Sequence, residues 1–292
     1  MDDLTQAIAG LKADFDRNIP DFSMEFIATA GRWMGANSES ESRLVVLGRG
    51  SASLFRRRGP GDSAQRPPGR YVGSIPDVAL LAFLDALEHS RIGTYASEPI
   101  GPRDPKNVLN VLLSGQLFTF SWGTLRPPVP EPIARLKNLL SDWSVKACPH
   151  PVWSLRMTAA SLAPGNGNVT ARLQFENDGT EAIHIAHPAS ASFGAGFTFH
   201  LKYGERQLIE EGITPAPIEI EIAPLRMPPM ATPRLIPILP GQPWQFEFTS
   251  ALEGHAPRGW TGKFVFLHYL PADILAGVPV FNGALFTEEM TW

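Results

Sequence analysis

Residues 173–185 read LQFENDGTEAIHI, and this stretch decides how the second half of the chain is understood. Leu173 and Phe175 alternate with Gln174 and Glu176, so apolar side chains fall on one face and polar ones on the other. That is the pattern of a half-buried strand. Asp178-Gly179 is a strong hairpin dipeptide, and Ile183 and Ile185 resume the alternation. Working outward, Phe197, Phe199, Leu201 and Tyr203 alternate with Thr198, His200 and Lys202. Ile218, Ile220 and Ile222 alternate with Glu219 and Glu221. Pro240-Gly241 turns into Trp244, Phe246 and Phe248. Lys263 to Tyr269 is nearly all apolar, as a central strand would be. Short, half-buried, turn-separated strands of this kind predict an immunoglobulin-like antiparallel β-sandwich over residues 149–292.

The pattern upstream is different. Leu4, Ile8, Leu11 and Phe15 recur at helical spacing and predict a helix over residues 3–16. Phe22 to Met34 is mixed and reads as a second helix. Leu44 to Leu47, extended by Ser53 to Arg56, reads as a strand, and Arg57 to Arg70 as a long exposed loop. Ser74 is a candidate N-cap for a helix carrying Val78, Leu81 and Leu84, with Gly93 as its stop. Ser114-Gly115 joins two strand-like runs, and Glu131 to Trp143 reads as a further helix. Residues 1–148 are therefore expected to form a small α+β domain. The change of period falls near Cys148-Pro149-His150-Pro151. The expected class is α+β followed by a β-sandwich.

Composition excludes several classes. Hydrophobic residues are 43% of the 292, enough for a real core. The net charge of −4 gives no basic excess, so nucleic acid is not an expected partner. No apolar run has the length of a membrane span. Asp2 and Asp3 stand where a signal peptide needs positive charge, and the single Cys148 fits a reducing compartment. A cytoplasmic location is expected.

Candidate chemistry is sparse. Gly48-Arg49-Gly50-Ser51 has the look of a phosphate loop, but strand-like residues follow where a helix start is needed, so a turn is the plainer reading. Arg56, Arg57 and Arg58, with Arg66 and Arg70, form a local basic cluster suited to an anion or an acidic partner; a solvated loop is the plainer alternative. His184 and His187 sit three apart on a strand, where their side chains point to opposite faces and do not converge on a metal. Cys148 lacks a nucleophile motif around it. Arg226, Met227 and Met230 belong to a proline-rich tract, residues 215–240. Exposed Met adapts to partners and extended proline segments bind at low entropy cost, against the plainer reading of a loop pinned on its own sandwich. No metal, cofactor or catalytic residue is expected.

Two stretches carry a resemblance. Residues 44–143, with Leu44 to Tyr71 ahead of Ser74 to Leu87, resemble small bacterial domains of unknown function. Residues 153–270, with LQFENDGTEAIHI and LPGQPWQFEF, are similar to bacterial immunoglobulin-like sandwich domains. The resemblance implies an interaction or inhibitor module, including toxin-neutralising immunity proteins. The expected function is thus a non-enzymatic protein-binding module, an immunity or adaptor protein whose partner is another protein such as a toxin or assembly component. Its contact residues would be Arg56, Arg57, Arg58, Arg66, Arg70, Arg226, Met227 and Met230. Two alternatives stand beside it: a hydrolase with an unrecognised site at the domain junction, and a structural subunit of a larger assembly.

Overall fold

Alternation, not helical spacing, governs the segment after Phe22. Met24 and Phe26 are buried while Ser23, Glu25 and Ile27, which alternate with them, are half-buried, so this stretch is a strand and not the expected second helix. The computed structural model describes residues 3–30, 40–57, 66–95, 104–123, 129–165, 168–187, 195–202, 218–222, 234–251, 261–268, 274–288 and 290–291. The chain splits into two compact units: Met1–Ala64 with Gly69–Val152, and Gln65–Pro68 with Trp153–Trp292.

The first unit contains α1 (Asp3–Ala13), α2 (Phe15–Asn18), β1 (Ser23–Ala30), β2 (Ser40–Leu47), β3 (Ser51–Arg57) and β4 (Gly69–Ser74). These are followed by α3 (Asp77–Ser90), β5 (Lys106–Leu113), β6 (Gln116–Gly123) and α4 (Glu131–Lys146). The strands pair antiparallel in the order β4-β3-β2-β1-β5-β6. One face of this sheet, carrying Phe26, Leu44, Leu54 and Leu109, forms a single core with Ile8 of α1, Phe83 of α3 and Leu136 of α4. Each such side chain contributes about 1.5–3 kcal/mol by leaving water. Phe83 also packs on Phe22 and on Trp143, with ring centroids 6.2 and 5.6 Å away.

Local chemistry sets the ends of these elements. Ser114 and Gly115 both have positive φ, 49° and 81°, which gives β5 and β6 the tight turn whose twist matches the strands. Ser74 does not cap α3. Pro76 occupies the cap position with no side-chain bond, and the helix ends on Arg91 in the left-handed region, not at Gly93. Lys12 ties α1 to α3 through Asp85 at 2.5 Å and Glu88 at 2.8 Å. Burial alone would lower the Lys12 pKa, but the bonds to the two carboxylates outweigh it and raise it.

The second unit is built from strands. They are β7 (His150–Gly165), whose first three residues belong to the first unit, β8 (Asn168–Asn177), β9 (Ile183–Ala186), β10 (Ala195–Lys202), β11 (Ile218–Ile222) and β12 (Leu235–Ile238). Then come β13 (Trp244–Ala251), β14 (Thr261–His268), β15 (Ile274–Leu275), β16 (Val278–Pro279), β17 (Gly283–Phe286) and β18 (Met290–Thr291). β8 lies between β7 and β13, and β14 lies between β10 and β17 with β18 also against it. Among the described residues β12 pairs with β9 alone, and β15 with β16 alone.

Asn177 explains why β9 does not fold back on β8 as Asp178-Gly179 suggests. Its side-chain amide is 3% exposed and fully bonded. Oδ1 accepts from the N–H of Ser154 (3.1 Å) and of Gly179 (3.0 Å). Nδ2 donates to the carbonyls of Glu181 (2.8 Å) and Ile238 (3.0 Å). The bonds hold the turn and deliver β9 to β12.

The expected class is therefore corrected. Among the described residues there are eighteen strands and four α-helices, and the chain is mostly antiparallel β. Six of its strands form the antiparallel sheet of the first unit, β4-β3-β2-β1-β5-β6, and β13-β8-β7 run side by side in the second. A separate α+β domain followed by an immunoglobulin-like sandwich is not what forms. Period-two patterning marks a half-buried strand, but it does not say which sheet the strand joins. Among the described residues no helix is long and apolar enough to cross a membrane.

Candidate interaction surface

The register of the first unit's sheet assigns the arginines. Leu54 is buried on the helix-bearing face, so Arg56, two residues on, shares that face, and Arg57 takes the other. Arg56 and Arg57 close β3; they are ladder residues, not loop residues. Arg70 on β4 stands opposite Phe55 and, like Arg57, lies on the outer face. Arg66 lies just ahead of β4 and is half-buried. Arg58, Arg226, Met227 and Met230 lie outside the described residues. The structure thus brings Arg57 and Arg70 to one face and turns Arg56 away from them.

That outer face carries none of the described helices and holds a chain of polar contacts across the strands. Thr119 donates to Asn110 (2.9 Å), and Asn110 donates to Glu25 (2.8 Å). Arg43 reaches Glu25 at 3.7 Å and Glu41 at 3.1 Å, and Arg57 donates to Glu41 at 2.9 Å. Glu41, with 14% of its side chain exposed, thus lies between two guanidinium groups. Lys106 on β5 has the same parity as Asn110 and joins this face. The face therefore presents four cations, Arg43, Arg57, Arg70 and Lys106, against two carboxylates, Glu25 and Glu41. Leu47 and Leu117, 53% and 63% exposed, flank it at the opposite end of the strands. A chain of net charge −4 thus carries a locally positive, partly apolar, flat surface.

The remaining motifs are structural. Gly48-Arg49-Gly50 is a tight turn between β2 and β3, with Arg49 at φ 61° and Gly50 at φ 77°. The Gly50 carbonyl accepts from Ile75 N–H at 2.8 Å, and a Cβ on Gly50 would lie 1.8 Å from the Ile75 carbonyl oxygen. The glycine is required by backbone approach, not by a phosphate. His184 and His187 diverge. His184 Nδ1 lies 3.2 Å from the Pro279 carbonyl, which makes it the donor, while the His187 ring stands edge-on to Trp244 and Phe246. Cys148 is buried in the core of the first unit. Among the described residues, no group of three His, Cys, Asp or Glu is placed to hold a metal ion.

Arg43, Lys106, Glu25 and Glu41 escape a reading of sequence clusters because they are separated along the chain. Their signal is parity: each is a polar residue out of step with the buried apolar positions of its strand, odd-numbered in Glu25, Glu41 and Arg43 and even-numbered in Lys106, and only the register shows that they are neighbours. Set against known proteins, the chain matches no protein-family model and none of the curated proteins.

Proposed function

We propose that the chain is a non-enzymatic binding module and that the outer face of its first sheet docks an acidic surface of a protein partner. One observation carries this reading: an antiparallel face bearing none of the described helices, on which four cations meet two carboxylates, flanked by exposed Leu47 and Leu117. The internal pairs with Glu25 and Glu41 hold Arg43 and Arg57 in place, so little side-chain entropy is lost on docking. The charge excess steers an acidic partner, and the leucines supply the apolar contact. An adaptor, or an immunity-type inhibitor of another protein, is the concrete form.

The test is a pull-down from the native cell with the full chain, compared with Arg43→Glu/Arg70→Glu and with Arg135→Glu on exposed α4 as a control. The expected result is an acidic protein retained by the wild type and the control and lost with the double reversal, with affinity falling as salt rises. A partner held equally by the double reversal, or one whose binding ignores salt, removes this face from the function. Unchanged thermal unfolding of the variants establishes that the fold is intact.

A further inference from the structure

β6 ends the order β4-β3-β2-β1-β5-β6, and among the described residues no strand pairs with its outer edge. The turn at Ser114-Gly115 fixes which of its backbone groups face outward. A two-residue turn is closed by a bond between its flanking residues, so Leu113 and Gln116 are a bonded pair. Bonded and non-bonded pairs alternate in an antiparallel ladder. Gln116, Phe118, Phe120 and Trp122 therefore direct their N–H and C=O groups at β5, and Leu117, Thr119 and Ser121 direct theirs away from it. Those three residues are exposed, and among the described residues no hydrogen bond engages their outward backbone groups.

β6 also lacks the usual defences of a free edge. Its sequence, QLFTFSWG, holds no charged residue and no proline, and its register against β5 runs without a bulge. The charges of this sheet's outer face lie on other strands: Glu25 on β1, Arg43 on β2, Arg57 on β3 and Lys106 on β5.

That neutrality decides the occupant. A charged segment finds no counter-charge on β6, whereas a second copy of β6 brings no like charge to repel it. Antiparallel pairing about a two-fold axis at Thr119 sets Thr119 against its own counterpart and Leu117 against Ser121 of the second copy. Each such pair exchanges both of its backbone bonds. Phe118 then faces Phe120 of the second copy in the closer, non-bonded positions, where aromatic pairs stabilise a ladder. Both rings are half-buried against the first unit's core, so the pairing covers apolar surface that is partly wet in the single chain. The outer-face cations do not oppose it. Lys106 lies opposite Gly123, well away from the axis, so strand rise and spacing hold the two copies of Lys106 about 30 Å apart, several Debye lengths.

We infer that β6 is a dimerisation edge, at which two copies of this chain join their first-unit sheets antiparallel about Thr119. Strand pairing alone is smaller than a standard interface, so the dimer exchanges with monomer at micromolar concentration.

The test is sedimentation equilibrium of the full chain from about 1 to 200 μM, with Arg135→Glu on α4 as a control that should match the wild type. The expected result is a monomer–dimer equilibrium, weakened at least about tenfold in Thr119→Pro, which removes an outward N–H where an edge strand tolerates proline. Thr119→Lys and Thr119→Glu each set like charges across the axis. Each should be monomeric alone, and the two should dimerise when mixed in equal amounts. A wild type that stays monomeric throughout overturns the self-pairing and leaves the edge to a strand of another protein. A dimer that persists in Thr119→Pro or in both charged variants places the contact elsewhere, and charged variants that do not recombine on mixing remove Thr119 from the axis. Thermal unfolding like that of the wild type shows that the variants fold. No second protein enters the measurement, so its failure leaves the docking face standing.

Discussion

The backbone N–H of Ala186 donates to Nε2 of His268 at 2.6 Å, linking β9 to β14 through a ring with no exposed surface. Nε2 is thereby the acceptor, so the proton of the neutral ring sits on Nδ1. Phe266 and Phe281 stand on either side, with centroids 5.4 and 6.0 Å away. Burial pushes the pKa of His268 down to about 4, against weaker opposing bonds from the backbone.

A loss of stability on mild acidification follows. The unfolded chain takes up a proton on this residue near pH 6.5, whereas the folded chain resists until about pH 4. The unfolded state therefore binds more protons in between. The contribution of His268 is complete above about pH 6.5, is lost as pH falls, and levels off below about pH 4. The full span is ~3 kcal/mol. His187, lowered by burial and by Arg234, adds a contribution of the same sign. Urea midpoints between pH 7.5 and pH 5 should fall with acid and flatten in His268→Gln. An unchanged slope in that variant would assign the effect to other groups.

Asn177 supplies all four bonds of its amide to backbone groups of four separate residues. Asn177→Ala leaves the Ser154 N–H and the Ile238 carbonyl buried without partners, while Gly179 and Glu181 can turn to water, and should cost about 2–4 kcal/mol by urea unfolding. Asn177→Asp keeps the shape but faces two carbonyls with a negative charge, so it should be no better tolerated than alanine. A cost under about 1 kcal/mol for either variant would show that water replaces the amide at this turn.

Two glycines with similar φ should respond differently to alanine. Gly50 at 77° meets the Ile75 carbonyl, whereas Gly115 at 81° has nothing within 4 Å. Gly115→Ala should cost about 1 kcal/mol, the penalty of the left-handed region alone. Gly50→Ala should cost on the order of 3 kcal/mol or more, because backbone has to move as well. Thermal melts of the pair check the difference, and equal shifts would mean that the β2–β3 turn relaxes freely.

Lys12→Met removes the tie between α1 and α3 but keeps the aliphatic stem. With 24% of its side chain exposed, Lys12 is partly screened, and the expected loss is about 1 kcal/mol or less. The loss should shrink at 1 M salt, where the Debye length is about 3 Å. Melting temperatures at low and high salt measure it.

Elements whose signal is local were legible in the sequence. Leu4, Ile8 and Leu11 announce α1, Ser114-Gly115 announces its hairpin, and the apolar run at Lys263 announces a central strand. What escaped depends on partners distant in the chain. Phe22 to Ala30 carries too few polar residues to show its alternation, and its place between β2 and β5 is what fixes it as a strand. Asp178-Gly179 points to β9 as the return arm of a hairpin, because the dipeptide says nothing about the bonds Asn177 makes around it. The basic cluster was visible as a run of arginines, but which of them share a face is a matter of register, and so is the company of Arg43 and Lys106.

The adjacent pair Arg56-Arg57 divides its charges between two sides of one strand. Substitutions on β3 can therefore alter either surface singly. An insertion or deletion of one residue between Leu54 and Arg56 is another matter. It would turn the Arg57 guanidinium to the helix-bearing face and Arg56 to the outer face, exchanging the two in one step. Any lineage of this protein that keeps both surfaces must hold the length of β3 constant even where its residues drift.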